Sequence, residues 1–168
     1  MLAAPGDPWH PDAMTMQIEV QTIPPRRYVG VRRVVKHDAI GPTFGEAMSR
    51  LVAWLRSQGV PPAGPPAILY HQMNHTAGDC DIEPALFVAG AVRGEGDIHV
   101  GEVAGGEALV GIHVGPYSTL GQSWDAMRAR AQELGRKVSR TPWEVYLDDP
   151  RLVALEELRT ELYLPLGE

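Results

Sequence analysis

The feature that most limits the possible folds of this sequence is an internal repeat with a spacing of 76 residues. Apolar residues recur at helical intervals over residues 44–55 and again over 120–131. A glycine able to end a helix follows each run, at Gly59 and at Gly135. The same spacing relates the residues of the following segment, Pro66 to Pro142 and Tyr70 to Tyr146. A constant spacing across a helix, its end and the next strand indicates an internal duplication.

Each half of the repeat predicts two strands before its helix and two after it. Alternating apolar segments bounded by turn residues predict strands at residues 18–23, 28–35, 67–72, 82–89, 98–103, 108–114, 143–147 and 159–164. One such unit cannot bury its helix alone, so we expect two β-β-α-β-β units paired about a pseudo-twofold axis. The predicted fold class is α+β, with an antiparallel sheet, two long helices and repeats at about 16–92 and 97–166.

In the third strand of the repeat, an apolar residue is replaced by a charged one. Ile68 in the first half corresponds to Glu144 in the second. Because side chains alternate along a strand, Glu144 and Tyr146 share one face of their strand, as Glu161 and Tyr163 do in the last strand. We expect the apolar faces to lie under the helices, and the Glu and Tyr faces to border a second, aromatic-lined space.

A carboxylate in an aromatic-lined space costs several kcal/mol unless it is paired or hydrogen-bonded. The sequence leaves two interpretations of Glu144 open. In the first, it anchors a cationic ligand in a pocket whose Trp and Tyr rings add cation–π contacts. In the second, it is exposed on an edge strand or paired with Arg32 or Arg159.

Composition and motifs argue against several classes of protein. The formal net charge of −6 and the scattered basic residues argue against a nucleic-acid surface. Cys80 is the only cysteine, so no intramolecular disulfide can form, and we expect a cytoplasmic location. No apolar run is long enough to cross a membrane. No HExxH or nucleotide-binding motif is present, so we expect no metal and no cofactor. Residues 1–15 lack the features of a signal peptide and are expected to form a flexible leader to one domain at 16–168.

Four motifs together point to a known family. They are IPPRRYVGVR at 23–32, HVGPYSTL at 113–120, TPWEVYLDDP at 141–150 and TELYLPL at 160–166. In this combination the chain resembles the GyrI-like, or AraC-type effector-binding, superfamily from residue 16 to residue 166, as a stand-alone member. The resemblance implies duplicated units around a central pocket. It also implies that the glutamate of the W-E-x-Y strand, here Glu144 with Trp143 and Tyr146 beside it, meets cationic or amphipathic drugs.

Other aromatic and acidic residues are candidates for the same pocket. Tyr70, the repeat mate of Tyr146, should face the same space. Tyr117 either caps the mouth of the pocket or packs beside the second helix, and Trp124 either packs in the core or stacks on a ligand. The remaining candidates, on the last strand, are Glu161 and Tyr163.

The resemblance implies three alternative functions. In the first, which we favour, the protein captures small cationic or amphipathic aromatic compounds without turnover and has no nucleic-acid or membrane partner. In the second, it is a hydrolase that opens strained rings in reactive genotoxic drugs, with Glu144 activating water and Tyr146 or Tyr117 donating a proton. In the third, it acts on a protein partner as a gyrase inhibitor or a transcription regulator, for which the sequence identifies no surface.

Overall fold

A computed structural model describes residues 16–74, 78–139 and 141–167 of the chain. The predicted leader, residues 1–15, lies outside the described residues. None of the helices within the described ranges is long and apolar enough to span a membrane.

The chain alternates strands and helices in the predicted order. The first half contains β1 (Ile18–Ile23), β2 (Arg26–Val31), β3 (Arg33–Lys36), α1 (Ile40–Gln58), β4 (Ala67–Asn74) and β5 (Asp79–Phe87). The second half contains β6 (Ile98–Val103), β7 (Gly106–Val114), α2 (Leu120–Glu133), β8 (Trp143–Tyr146) and β9 (Arg159–Pro165). The α+β class with an antiparallel sheet and two long helices is therefore confirmed.

One predicted strand, residues 28–35, is divided at Arg32 into β2 and β3. Both parts pair with β5 in a single register, with Gly30 opposite Ala85 and Arg33 opposite Ile82. In this register Pro84 lies opposite Val31, next to the interruption, and it has no N–H to donate to the ladder.

The strands form one curled sheet in the order β1-β7-β9-β8-β4-β5-β2-β6, with β3 added on β5. If the order is reversed and each strand is replaced by its counterpart in the other half, the same order results. Each half places its first strand on the second strand of the other half, because β1 pairs with β7 and β6 pairs with β2. At the centre, β4 pairs with β8 and Ile68 lies directly opposite Glu144, so the pseudo-twofold axis passes through this pair.

Both helices pack on the same face of the sheet. The buried face of α1 covers Val29 and Leu86, and that of α2 covers Leu109 and Leu162. Each helix is followed by a glycine in the left-handed region, Gly59 at φ 70° and Gly135 at φ 65°, as the sequence predicts.

The opposite face of the sheet is buried as well. Tyr28, Leu69, Phe87, Trp143 and Val145 form an apolar cluster inside the curl. Both faces of the central strands are therefore apolar, and apolar character alone does not identify the face that bears the helices.

Candidate functional site

A large cleft separates the two helices above the centre of the sheet. Its floor is formed by β4 and β8, its walls by the N-terminal halves of α1 and α2, and its rim by residues 147–151. Its volume is about 1770 Å³, which exceeds the range of typical small-molecule pockets, about 300–1,000 Å³.

Glu144 lies at the floor of this cleft and is 2% exposed. Its Oε2 accepts hydrogen bonds from the hydroxyls of Tyr70 at 2.8 Å and Tyr146 at 2.6 Å. Its Oε1 accepts a hydrogen bond from the indole Nε1 of Trp124 at 2.6 Å. Because a carboxylate has about four lone-pair sites, one acceptor site remains for a group in the cleft.

Burial raises the pKa of Glu144 above its ordinary value, and the hydrogen bonds from Trp124, Tyr146 and Tyr70 offset part of that increase. Burial, together with the nearby Glu144 carboxylate, also raises the pKa of Tyr70 well above its usual range. Tyr70 therefore remains a neutral donor at physiological pH.

In the described part of the chain Glu144 forms no ion pair with a Lys, Arg or His side chain, although the nearby His113 lowers its pKa electrostatically. The other carboxylates that line the cleft form ion pairs: Asp125 with Arg128, Asp148 with Arg159 and Asp149 with Arg151. Glu144 instead bonds three neutral donors. A buried carboxylate without a cationic partner favours a positively charged ligand.

Aromatic rings surround the carboxylate. The rings of Phe44 and Tyr117 meet the ring of Tyr146 edge to face, with centroids 5.1 and 5.6 Å apart. The rings of Tyr70 and Trp124 meet in the same way at 6.5 Å. Tyr117 is 39% exposed and lies at the mouth of the cleft.

Comparison with known proteins agrees with this architecture. Residues 16–166 match the family described as the GyrI-like small molecule binding domain. The chain belongs to this family. The GyrI-like resemblance of the sequence is thereby confirmed. A search of curated protein sequences finds no match to the chain.

Solved structures show the same GyrI-like fold. The cryo-EM structure of an EcmrR–DNA complex has a TM-score of 0.80 and 20% identity, and the match covers 92% of this chain and 59% of that one. A hydrolase encoded by lin2189 from Listeria innocua has a TM-score of 0.65 and 17% identity, covering 90% and 92% of the two chains. SAV2435 bound to tetraphenylphosphonium has a TM-score of 0.63 and 13% identity, covering 90% and 94%. This chain thus spans 59% of the length of the EcmrR chain, and at these identities the likeness concerns the fold.

Five of the residues singled out in the sequence line the cleft of this GyrI-like domain: Glu144, Tyr146, Tyr70, Tyr117 and Trp124. Trp124 packs in the core from the buried face of α2, as the first of its two interpretations expects, and its Nε1 donates a hydrogen bond to Glu144. Stacking of its ring on a ligand stays a prediction. Tyr117 is placed at the cleft rather than in the core.

The other three candidates lie on the opposite face of the sheet, which corrects the expectation that all the Glu and Tyr faces border one space. Trp143 stacks on Tyr163 with centroids 4.8 Å apart, and Tyr163 donates a hydrogen bond to Glu161. The reason is register: Trp143 lies opposite Tyr163, whereas Glu144 lies opposite Leu162. Glu144 therefore faces the helices, which corrects the expectation that the apolar face of this strand lies under them. Glu161 faces away from the helices.

Sequence reasoning missed the network that holds Tyr117 in place. His113 is buried, and its Nδ1 lies 2.7 Å from Ser123 Oγ. Its Nε2 lies 3.0 Å from the carbonyl oxygen of Pro116 and 3.2 Å from Thr119 Oγ1. His113 thus ties β7 to the turn that presents Tyr117.

A second buried carboxylate was also missed. Glu83 is 0% exposed on the helix-free face, and its oxygens lie 2.8 Å from His71 Nε2, 2.7 Å from His99 Nδ1 and 3.2 Å from the Tyr28 hydroxyl, which donates to it. Burial alone would raise the pKa of Glu83, but the hydrogen bonds from the two histidines outweigh it and hold the pKa below the ordinary value. The glycine at position 30 leaves room for this carboxylate, since a Cβ there would lie 2.7 Å from Glu83 Cγ.

Within the described residues, no group of three or more His, Cys, Asp or Glu side chains has an arrangement that could hold a metal ion.

Proposed function

We propose that this protein binds small cationic or amphipathic aromatic compounds in the central cleft, with Glu144 as the charged anchor. The observation that carries the proposal is a buried carboxylate held by Tyr70, Tyr146 and Trp124, without a cationic partner among the described residues. A ligand cation would supply the missing counter-charge. Aromatic faces add about 0.5–2 kcal/mol for each cation–π contact.

The arrangement of donors also suits reversible binding. Three fixed hydrogen bonds hold the carboxylate in one orientation, so little side-chain freedom is lost when a ligand arrives. SAV2435, which has the same fold, is bound to tetraphenylphosphonium, a lipophilic cation. This supports the same class of ligand here.

Titration with tetraphenylphosphonium and with a rhodamine dye tests the proposal. We expect Glu144→Gln to weaken binding by roughly tenfold or more, which is about 1.4 kcal/mol, as followed by calorimetry. Glu161→Gln is the matched control, because Glu161 lies on the other face of the sheet and outside the cleft. Equal affinities of the wild type and Glu144→Gln would contradict the role of Glu144 as anchor.

Hydrolysis of a reactive small molecule is the second candidate. It is favoured by the raised pKa of Glu144, because a higher pKa makes the carboxylate a stronger base. Two tyrosine hydroxyls on the same carboxylate oxygen add proton donors. The Listeria innocua protein of similar fold is a hydrolase. Mass analysis of compounds recovered after incubation distinguishes the candidates: unchanged compounds support binding, and products that require Glu144 and Tyr146 support catalysis.

A further inference from the structure

The two halves of the chain contribute different chemistry to the cleft. Equivalent positions of the repeat face each other across it, and their side chains can be compared pair by pair. Five of the pairs that line the cleft are Phe44 and Leu120, Gly45 and Gly121, Met48 and Trp124, Ser49 and Asp125, Ile68 and Glu144. In three of these five pairs the second half supplies a charged or hydrogen-bonding group where the first half supplies an apolar or uncharged one.

The carboxylates and guanidinium groups of the cleft are accordingly confined to one side. Every Asp, Glu and Arg that lines it belongs to the second half, and among the described residues no Asp, Glu, Lys or Arg of the first half reaches it. The first half adds two histidines to the lining, His37 and His71. It also presents an apolar arm made by Ile40, Phe44, Met48, Ile68 and Met73. Ile68 is buried, whereas Phe44, Met48 and Met73 are half-buried and remain accessible from the cleft.

Two glycines, which have no side chain, leave space along this apolar arm. Gly41 and Gly45 are one helical turn apart on α1, and both line the cleft. A Cβ on either residue would meet no atom within 4 Å, so packing inside the protein does not require glycine there. Glycine inside a helix is destabilising relative to alanine. At the position equivalent to Gly41, the second half has Tyr117, which narrows its own side of the cleft.

On the basis of the binding function proposed above, we infer that the cleft accepts its ligand in one orientation. The cationic group lies over Glu144 on the side of α2, and an apolar tail extends along α1 past Gly41 and Gly45. The preferred ligand class is therefore a cation with its charge at one end and a flexible or aromatic apolar group at the other. A small symmetric cation would use only part of the cleft.

A series of alkyltrimethylammonium ions tests this inference: tetramethylammonium, butyltrimethylammonium and octyltrimethylammonium, used below their micelle concentrations. Full burial of a methylene is worth about fourfold in affinity. We therefore expect affinity, measured by calorimetry, to rise by tenfold or more from the butyl to the octyl ion. Glu144→Gln should weaken every member by a similar factor and leave the dependence on chain length intact.

The glycines of the two helices provide a matched pair of variants. Gly45→Leu should fill the apolar arm, weakening octyltrimethylammonium by tenfold or more and tetramethylammonium by less than about threefold. Gly121→Leu, its repeat equivalent on α2, should weaken all members similarly and retain the gain with chain length. Both positions are helical and open, and leucine is a better helix former than glycine, so circular dichroism should show both variants folded.

The outcomes separate the two levels of the proposal. Binding of all three ions without a gain in affinity with chain length, or an equal loss of that gain in both leucine variants, would overturn the orientation and leave the binding function intact. Failure of tetraphenylphosphonium and of all three ammonium ions to bind would overturn the binding function, and the orientation with it. A gain with chain length that Gly45→Leu removes and Gly121→Leu retains would support both.

Discussion

Replacing Gly30 by alanine is expected to destabilise the protein, although alanine is normally preferred to glycine inside a strand. A Cβ at this position would lie 2.7 Å from Glu83 Cγ and 2.8 Å from Glu83 Oε2. Side-chain carbon atoms essentially never approach so closely, so the carboxylate must move by several tenths of an ångström. The oxygen that must move is the one that lies 2.7 Å from His99 Nδ1.

The size of the effect follows from the bonds that this movement disturbs. A hydrogen bond to a charged group contributes about 1.5–3 kcal/mol, and Glu83 has partners in His71, His99 and Tyr28. Losing the bond to the partly exposed His99 and straining the one to His71 gives a cost of about 3 kcal/mol. The lower conformational entropy of alanine in the unfolded chain offsets about 0.5–1 kcal/mol of this loss. The net destabilisation is about 2–2.5 kcal/mol, which lowers the Tm by about 4–10 °C in a domain of this size.

Thermal and urea unfolding, followed by circular dichroism, measure this change. Gly45→Ala is the matched control, because its new Cβ would meet no atom within 4 Å; it should raise stability by about 0.8–1 kcal/mol. In a Glu83→Ala background the added methyl at position 30 finds space, so Gly30→Ala should there be neutral or stabilising. If Gly30→Ala is as stable as the wild type, the assignment of Gly30 as the residue that makes room for Glu83 is refuted.

Three further predictions concern protonation of the two buried glutamates. Because the pKa of Glu144 is raised, the affinity for tetraphenylphosphonium should increase with pH as this carboxyl ionises and then level off. Calorimetric titrations at several pH values measure this rise, which should be absent in Glu144→Gln. Tyr146→Phe removes a donor that stabilises the charged form, so the midpoint of this binding profile should move to higher pH, and an unmoved midpoint would contradict the coupling. Because the pKa of Glu83 is lowered, its contribution to the free energy of unfolding is complete above its unfolded-state pKa of about 4.3 and is lost as the pH falls through the folded-state value. Glu83→Gln should therefore show a smaller loss of urea stability than the wild type when the pH is lowered from 5 to 3.

The helices and the position of Glu144 could be predicted because local signals specify them. Apolar residues at helical spacing and a following glycine define the end of each helix at Gly59 and Gly135. A glutamate at a position where the repeat has Ile68 identified Glu144 without any structure. These signals depend on neighbouring residues in the chain, so a single sequence contains them.

The face on which each candidate lies could not be predicted in the same way. The pairing of β8 with β9 places Trp143 opposite Tyr163 and Glu144 opposite Leu162, and this register is set by contacts between distant segments. Because the curled sheet buries both of its faces, an apolar strand position such as Leu69 or Leu162 does not reveal which side the helices cover. The sequence alone therefore groups Glu161 and Tyr163 with Glu144, although they lie on the other face.

The two halves also show how one residue decides whether a charge is buried. Glu83 and Glu161 hold equivalent positions, since Glu83 lies opposite Leu69 in the first half and Glu161 lies opposite Val145 in the second. Gly30 leaves space for the first carboxylate, whereas Val110 fills the equivalent position in β7.

The consequence is visible in the exposure of the two carboxylates. Glu83 is fully buried among two histidines and a tyrosine, and Glu161 is half-buried with one hydrogen bond from Tyr163. The same reasoning applies to the cleft, where Glu144 gives the second half the charge and Gly41, whose repeat equivalent is Tyr117, leaves space in the first half. A site of this kind depends on the differences between the two halves, because a perfectly repeated pair would place either two carboxylates or none at the pseudo-twofold axis.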